Sequence, residues 1–176
     1  MQDQTCILTA RDFAILEAMR ARCLGYEDPM ARLLDRKISA ARIVFGDDVP
    51  ADVATLDSRV LYRVGAGEPD TRVITSDATR SPVGLFLSVA APRGLALIGL
   101  SEGEAFELTG PAGSEIVRLD RVLYQPEAAR REKLALAAGA SPEARRRGLR
   151  LIDGAYADRP RPAGNGGFDD PGPSAA

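Results

Sequence analysis

Apolar residues recur every three or four positions in two stretches near the start of the chain. The first stretch holds Phe13, Leu16, Met19 (or Arg20 in the same turn) and Cys23, and the second holds Met30, Leu33, Leu34, Ile38, Ala41 and Phe45. This is the spacing of amphipathic helices. Thr9 and Asp28-Pro29 stand where helix caps are expected. Two stripes joined by a short link predict an antiparallel helical hairpin over residues 9–46, with arms of about 15–17 residues, or about 22–26 Å.

After a linker over residues 47–52, the apolar positions alternate approximately with polar ones. The runs that read as β-strands cover residues 58–64, 71–75, 85–89, 105–108 and 116–124. A short apolar segment, residues 93–100, reads as about two helical turns laid across the sheet. Five antiparallel strands with one short helix on a face predict an α+β fold.

The last part of the chain has a different composition. Residues 127–138 and 144–152 are rich in Ala, Leu, Arg and Glu, and are predicted to be helical. From residue 159 onward Pro, Gly, Asn and Ser dominate, which predicts disorder. We therefore divide the chain into a hairpin (1–50), a sheet domain (51–126), a helical extension (127–158) and a tail (159–176). The basic residues of the extension are interpreted either as a solvated helix face or as a contact for an acidic or nucleic-acid surface.

Composition excludes several classes of function. The chain has no histidine, which removes Ser-His-Asp and Cys-His catalysis and His-ligated metal sites. Aromatic residues are only 5% and the formal charge is −2, so non-specific nucleic-acid binding is not expected as the main activity. Cys6 and Cys23 lack a C-x-x-C spacing and read as reduced thiols. No apolar run approaches the length of a membrane span, and the first residues lack the pattern of a signal peptide, so a cytoplasmic location is expected.

Three motifs, in matching order, carry a resemblance to a known family. Residues 91–99, APRGLALIG, followed by 102–104, EGE, resemble the signature of Gre-type transcript-cleavage factors. Residues 52–60, DVATLDSRV, and 124–129, YQPEAA, are similar to the opening and closing motifs of a relative, the regulator of nucleoside diphosphate kinase group. The resemblance covers roughly residues 5–129 and gives no counterpart for residues 130–176.

The resemblance implies an FKBP-like sheet domain behind the helical hairpin. In this family the globular domain docks at the rim of the RNA polymerase secondary channel, and the hairpin points inward. Cleavage-competent members carry acidic residues at the tip of a long hairpin, which help to hold a second Mg²⁺ at the polymerase active centre.

The sequence departs from the cleavage factors at the hairpin. Its arms are short, and the tip acids Glu27 and Asp28 do not align with the family's tip motif. Asp28 is better explained as the N-cap of the second helix, and the metal role is not transferred to either acid. In the signature loop, Gly94 and Gly99 are expected to allow close backbone approach, whereas Pro92, Arg93 and Gly94 are candidates for contact with polymerase.

We therefore expect a transcription regulator that binds RNA polymerase at the secondary channel and competes with Gre-type factors without stimulating cleavage. It is expected to be a monomer and not an enzyme, with no cofactor, no metal, no membrane association and no sequence-specific nucleic-acid binding. The alternatives are transcript cleavage through Glu27 and Asp28, and peptidyl-prolyl isomerisation suggested by the FKBP-like fold. Fold alone confers no activity.

Overall fold

The structure is a computed structural model that describes residues 6–23, 28–76, 84–110 and 113–139. In chain order its elements are β1 (Cys6–Thr9), α1 (Ala10–Arg22), α2 (Pro29–Ser39), β2 (Ala41–Val44), β3 (Arg59–Val64), β4 (Asp70–Thr75), β5 (Phe86–Ser88), α3 (Pro92–Leu97), β6 (Ala105–Gly110), β7 (Gly113–Tyr124) and α4 (Pro126–Gly139). The chain is a mixed α+β protein, as the sequence predicts.

Helices α1 and α2 begin where the sequence predicts. The Thr9 hydroxyl accepts a hydrogen bond from the Asp12 N–H at 3.1 Å, and the Asp28 carboxylate accepts one from the Met30 N–H at 2.9 Å. The helices have 13 and 11 residues, so both are shorter than the predicted arms. Their contact includes an ion pair between Arg20 and Asp35 at 2.6 Å.

The prediction that the second helix continues to Gly46 is wrong. Helix α2 ends at Ser39, and residues Ala41–Val44 form strand β2, which pairs in parallel with strand β1. Ile43 and Val44 are β-branched and favour an extended backbone. Parallel neighbours need a long crossover connection, and α1 and α2 form the one that joins β1 to β2.

The main sheet has five strands in the order β5-β4-β3-β7-β6. All five lie where the sequence predicts strands, within a few residues at each end. The prediction that all neighbours are antiparallel is wrong for β5, which pairs with β4 in parallel. The chain between them includes residues 77–83, which lie outside the described residues.

The hydrophobic core joins residues from both sides of position 50. Leu8, Leu16 and Leu34 come from the first part of the chain, and they pack in one cluster with the α3 residues Leu95 and Leu97. Helix α3 thus fills the space between the five-stranded sheet and the first two helices. The predicted apolar segment 93–100 is confirmed as a short helix, Pro92–Leu97, followed by a turn.

Helix α4 agrees with the helix predicted over residues 127–138, and none of its residues is buried. The predicted second helix of the extension and the tail from residue 159 lie outside the described residues. Among the helices that the structure describes, none is both long and apolar enough to cross a membrane.

Candidate functional site

The signature segment places one charged residue at the surface above a buried helix. In α3, Gly94, Leu95, Ala96 and Leu97 are all buried. The side chain of Arg93 is half exposed, with 50% of its area accessible. Of the candidate contact residues, Pro92 and Arg93 are therefore presented outward, whereas Gly94 is buried.

Gly94 and Gly99 serve the close backbone approach that the sequence predicts. A Cβ atom at Gly94 would collide with the backbone carbonyl of Ser88, at the end of β5. Gly99 has φ +79°, and a Cβ atom there would collide with the Cys6 sulfur and the Leu8 side chain of β1. The Gly99 carbonyl also accepts a hydrogen bond from the Ile7 N–H at 3.0 Å. The two glycines therefore allow close packing, of Gly94 in α3 against the end of β5 and of Gly99 in the following turn against β1.

Arg93 is held by a two-point ion pair with Glu115 of β7. Its Nε and Nη2 atoms donate to the two carboxylate oxygens at 2.6 and 2.9 Å. These hydrogen bonds hold the pKa of Glu115 below its usual range. This two-point arrangement gives the planar guanidinium of Arg93 a defined orientation beside Pro92.

A buried lysine of α2 forms hydrogen bonds with the C-terminal end of α3, which we call the signature helix because it lies in the motif of residues 91–99. Lys37 of α2 is only 1% exposed, and its Nζ atom donates to the carbonyl oxygens of Ala96 and Ile98, each at 2.7 Å. These carbonyls end α3, where a positive charge is favourable. The Nζ atom also lies 4.5 Å from the centre of the Phe106 ring. Burial lowers the pKa of Lys37 to about 8, and the negative charge of Glu104 partly opposes this decrease.

The motifs at residues 52–60 and 124–129 are brought together in space. The Gln125 side-chain N–H groups donate to the carbonyls of Pro50 and Val53 at 2.8 and 2.7 Å. The Thr55 hydroxyl donates to the Glu127 carboxylate at 2.8 Å and lies 2.9 Å from the Ser58 hydroxyl. The two motifs therefore form one polar joint that fixes the start of α4 against the loop before β3.

Asp12 is a buried carboxyl beside this joint. It is 1% exposed, and neither of its carboxylate oxygens has a hydrogen-bond partner among the described residues. Burial raises its pKa to about 6, and the charge of Glu127 adds to the increase. The Thr9 hydroxyl and the Leu56 N–H lie near enough to offset part of this effect, although neither reaches hydrogen-bonding geometry with the carboxylate oxygens.

The link between α1 and α2, which the sequence predicts to be a hairpin tip, is only partly described. The Asp28 side chain is the N-cap of α2, which is the structural role that the sequence suggested. Glu27 lies outside the described residues. Within the part of the chain that the structure describes, no group of three or more His, Cys, Asp or Glu side chains is placed to hold a metal ion.

Sequence reasoning missed Lys37 and the burial of Asp12. Lys37 belongs to a polar run, Asp35-Arg36-Lys37, and only its position three residues after Leu34 places it on the apolar stripe of α2. In the sequence, Asp12 stands three residues after Thr9 and resembles the acid of a capping box, a motif that by itself gives no sign that it is buried. In both cases the signal was a charged residue in register with buried neighbours.

Comparison with known proteins agrees with the family resemblance carried by the three sequence motifs. No protein-family model matches the chain. A solved structure, the prokaryotic transcription elongation factor GreA/GreB from Nitrosomonas europaea, is 26% identical with a TM-score of 0.53, and the match covers 68% of this chain and 98% of that one. The arrangement of two helices and a curled sheet crossed by the signature helix is thus that of the Gre-type class.

The more specific relationship comes from sequence. Over 106 residues the chain is 35% identical to the regulator of nucleoside diphosphate kinase from Escherichia coli strain K12, covering 57% of this chain and 76% of that protein. The match to the protein of the same name from Shigella flexneri has the same values. The chain belongs to the regulator of nucleoside diphosphate kinase family, and the resemblance found in its motifs is confirmed.

Proposed function

We propose that this protein is a transcription regulator that binds RNA polymerase at the rim of the secondary channel. In this proposal the sheet domain is FKBP-like and provides the docking surface, and α1 and α2 form the antiparallel hairpin that points inward. The protein competes there with Gre-type factors and does not itself stimulate RNA cleavage. The likeness to the Gre-type elongation factor, over nearly the whole of that chain, is the single observation that carries the proposal.

The absence of cleavage in this proposal is supported by the helices and by Asp28. Helices of 13 and 11 residues are about 20 and 17 Å long at 1.5 Å per residue. The family resemblance gives cleavage factors a long hairpin, whereas these two helices are shorter even than the arms predicted from the sequence. The Asp28 carboxylate is also engaged with the Met30 N–H, which disfavours a second role as a metal ligand.

The proposed docking residues are Pro92 and Arg93, with Gly94 buried beneath them. Arginine side chains that are oriented before binding lose little entropy on contact, and they are frequent in binding hot spots. The Arg93–Glu115 pair gives this orientation. The partner is expected to offer a carboxylate or a backbone carbonyl to the guanidinium.

A pull-down with core RNA polymerase tests the docking residues. The full chain should be retained, and an excess of a Gre-type factor should displace it. Arg93→Ala should weaken retention about tenfold, the loss expected of a moderate hot spot. Arg42→Ala, which removes another exposed arginine on β2, is the matched control and should leave retention unchanged. Failure of the full chain to bind, or binding that a Gre-type factor does not displace, would refute the proposal.

The name of the relatives supports a second candidate, regulation of a nucleoside diphosphate kinase. A purified kinase assayed with and without the protein would separate the two. A change in kinase turnover at equimolar protein, with no binding to polymerase, would favour the second candidate over the first.

Proline isomerisation is not favoured by the positions of the aromatic residues. Tyr62 and Phe106 are 5% and 3% exposed, so their rings are part of the core and do not line an open apolar pocket. We expect no acceleration of prolyl isomerisation in a model peptide.

A further inference from the structure

The outer face of the five-stranded sheet carries a group of arginines that the proposed function does not use. Side chains alternate between the two faces of a strand. In β3 and β7 the buried positions, such as Val60, Tyr62, Val117 and Leu119, point toward α3 and the core. The exposed arginines between them lie on the opposite face. We call this group the arginine face; its members are Arg59, Arg63, Arg118 and Arg121.

The strand register places these arginines next to one another. Arg63 lies directly opposite Arg118 on the neighbouring strand. Like charges that face each other across a strand pair are destabilising. Asp120 relieves part of this repulsion through an ion pair with Arg63 at 2.8 Å. Arg59, Arg118 and Arg121 make no ion pair with any residue that the structure describes.

Apolar side chains lie among the arginines on the same face. Leu61 is half-buried opposite Arg121, and Tyr124 is 51% exposed opposite Arg59. Ile116, two residues from Arg118 on β7, is 54% exposed. The face therefore combines positive charge with exposed apolar and aromatic area. Arginine and tyrosine are enriched in protein–protein interfaces and in their binding hot spots.

We propose that the arginine face is the docking surface for an acidic, amphipathic segment of a partner protein. Charge complementarity carries this inference, because four arginines outnumber the two acids, Asp120 and Glu107, on one face of a chain whose net charge is −2. Guanidinium groups bind carboxylates through two parallel hydrogen bonds, and the leucine, isoleucine and tyrosine provide contact for apolar side chains of the segment. A nucleic acid fits less well, since stacking needs several exposed rings and, among the described residues, only Tyr124 and the half-buried Phe86 lie on this side of the sheet.

This surface is separate from the proposed polymerase contact. Glu115, the partner of Arg93, stands two residues before the buried Val117 in β7. Because side chains alternate along a strand, the Glu115 side chain points to the α3 side of the sheet. Arg93 and the arginine face thus lie on opposite sides of one sheet. An acidic partner and polymerase would be able to bind at the same time, and each contact can fail without the other.

Fluorescence anisotropy of the full chain tests the proposal. The probe is a fluorescein-labelled amphipathic helical peptide of about 15 residues made of Glu, Leu and Ala. It should bind, and binding should weaken steeply with added salt, since screening reduces exposed charge interactions. Replacing every Glu of the peptide by Gln should abolish binding.

Variants locate the binding surface. Arg118→Glu with Arg121→Glu should weaken peptide binding by at least about tenfold, and the milder pair Arg118→Gln with Arg121→Gln should weaken it less. Arg22→Glu with Arg42→Glu reverses the charge of exposed arginines elsewhere and should change binding by less than about twofold. Circular dichroism confirms that each variant is folded.

Several results would overturn the proposal. One is no binding of the acidic peptide, and another is equal weakening by the two sets of charge reversals. A third is tighter arginine-dependent binding of single-stranded RNA of similar length, which would make the face a nucleic-acid surface. A fourth is arginine-dependent self-association in sedimentation, which would make the occupant a second copy of this chain.

Discussion

Lys37 is the residue through which α2 supports the signature helix. Its ammonium group replaces water at the last carbonyls of α3, and its methylene chain lies in the core. Removing it leaves these carbonyls without their donor and opens a cavity.

We expect Lys37→Ala to lower the free energy of unfolding by about 3 kcal/mol, and Lys37→Met, which refills the space, by about 2 kcal/mol. Urea denaturation measures both values. The chain has one other lysine, Lys133, which is exposed on α4, and Lys133→Ala is the control, with an expected change within about 0.5 kcal/mol. Equal changes at the two lysines would contradict the role assigned to Lys37.

Burial also predicts which lysine reacts with an amine reagent. In the folded protein an N-hydroxysuccinimide ester should modify Lys133 and leave Lys37 unmodified, and in denaturant both should react. Peptide mass spectrometry distinguishes the two sites. Rapid labelling of Lys37 in the native protein would mean that the contact between α2 and α3 opens frequently.

The raised pKa of Asp12 makes the free energy of unfolding depend on pH in a specific way. Its folded pKa of about 6 lies above the ordinary value of 3.8, so the folded state binds this proton more tightly than the unfolded state. The contribution of Asp12 is therefore greatest at low pH, and it is lost as pH rises from about 4 to about 6.

Asp12→Asn removes this titration. We compare the free energy of unfolding of the variant with that of the unmodified protein at two pH values. The difference should favour the variant by roughly 2–3 kcal/mol more at about pH 7.5 than at about pH 4. Thermal or urea unfolding at the two pH values measures the difference. Asp48→Asn, at an exposed position, should show no such gain. A variant curve parallel to the unmodified one would place Asp12 in a solvated environment.

At the scale of elements, the docking of β1 onto the end of α3 depends on Gly99. Gly99 and Gly103 have nearly the same backbone conformation, with φ +79° and +83°, but only Gly99 has close neighbours. Alanine at either position incurs the strain of a left-handed backbone, about 1 kcal/mol. At Gly99 it also collides with Cys6 and Leu8.

We therefore expect Gly99→Ala to destabilise the protein by about 3 kcal/mol and Gly103→Ala by about 1 kcal/mol. Denaturant titration of the two variants in parallel gives the comparison. If the two substitutions had equal effects, the close approach of β1 to the signature turn would not exist in solution.

The sequence predicts the main elements because their signals are local. The caps at Thr9 and Asp28 and the turn-bounded strands of the sheet depend on neighbouring residues only. The end of α2 has no such signal, since neither glycine nor proline follows Ser39, and the spacing of Ile38, Ala41 and Phe45 also fits a helix. Strand β2 is specified by its partner β1, which is distant in sequence.

In the candidate site, too, the features that depend on local residue types could be predicted, and the contacts between distant residues could not. The exposure of Arg93 and the close packing of the glycines followed from the motif, because the chemistry of these residue types is recognisable in isolation. The ion pair with Glu115, the support by Lys37 and the polar joint between Thr55 and Glu127 each connect residues at least 22 positions apart. No periodicity in the chain indicates such pairings, which arise only when the sheet register is fixed.

At the scale of the whole molecule, the proposed regulator places two separate surfaces on one sheet. The α3 side carries Pro92 and Arg93, the proposed contact for polymerase, and the opposite side carries the arginine face. The short helices limit how far the protein would extend into the secondary channel. This arrangement suits a protein that occupies a docking site and excludes competitors, and it does not suit the delivery of carboxylates to a distant active centre.

The most direct test of this account uses a stalled, backtracked transcription complex. Increasing amounts of the protein should progressively inhibit the cleavage that a Gre-type factor stimulates, and the protein alone should produce no shortened RNA. Arg93→Ala should require about ten times more protein for the same inhibition. Shortened RNA with the protein alone, lost on Asp28→Ala, would contradict the account, as would Gre-stimulated cleavage that the protein leaves unchanged.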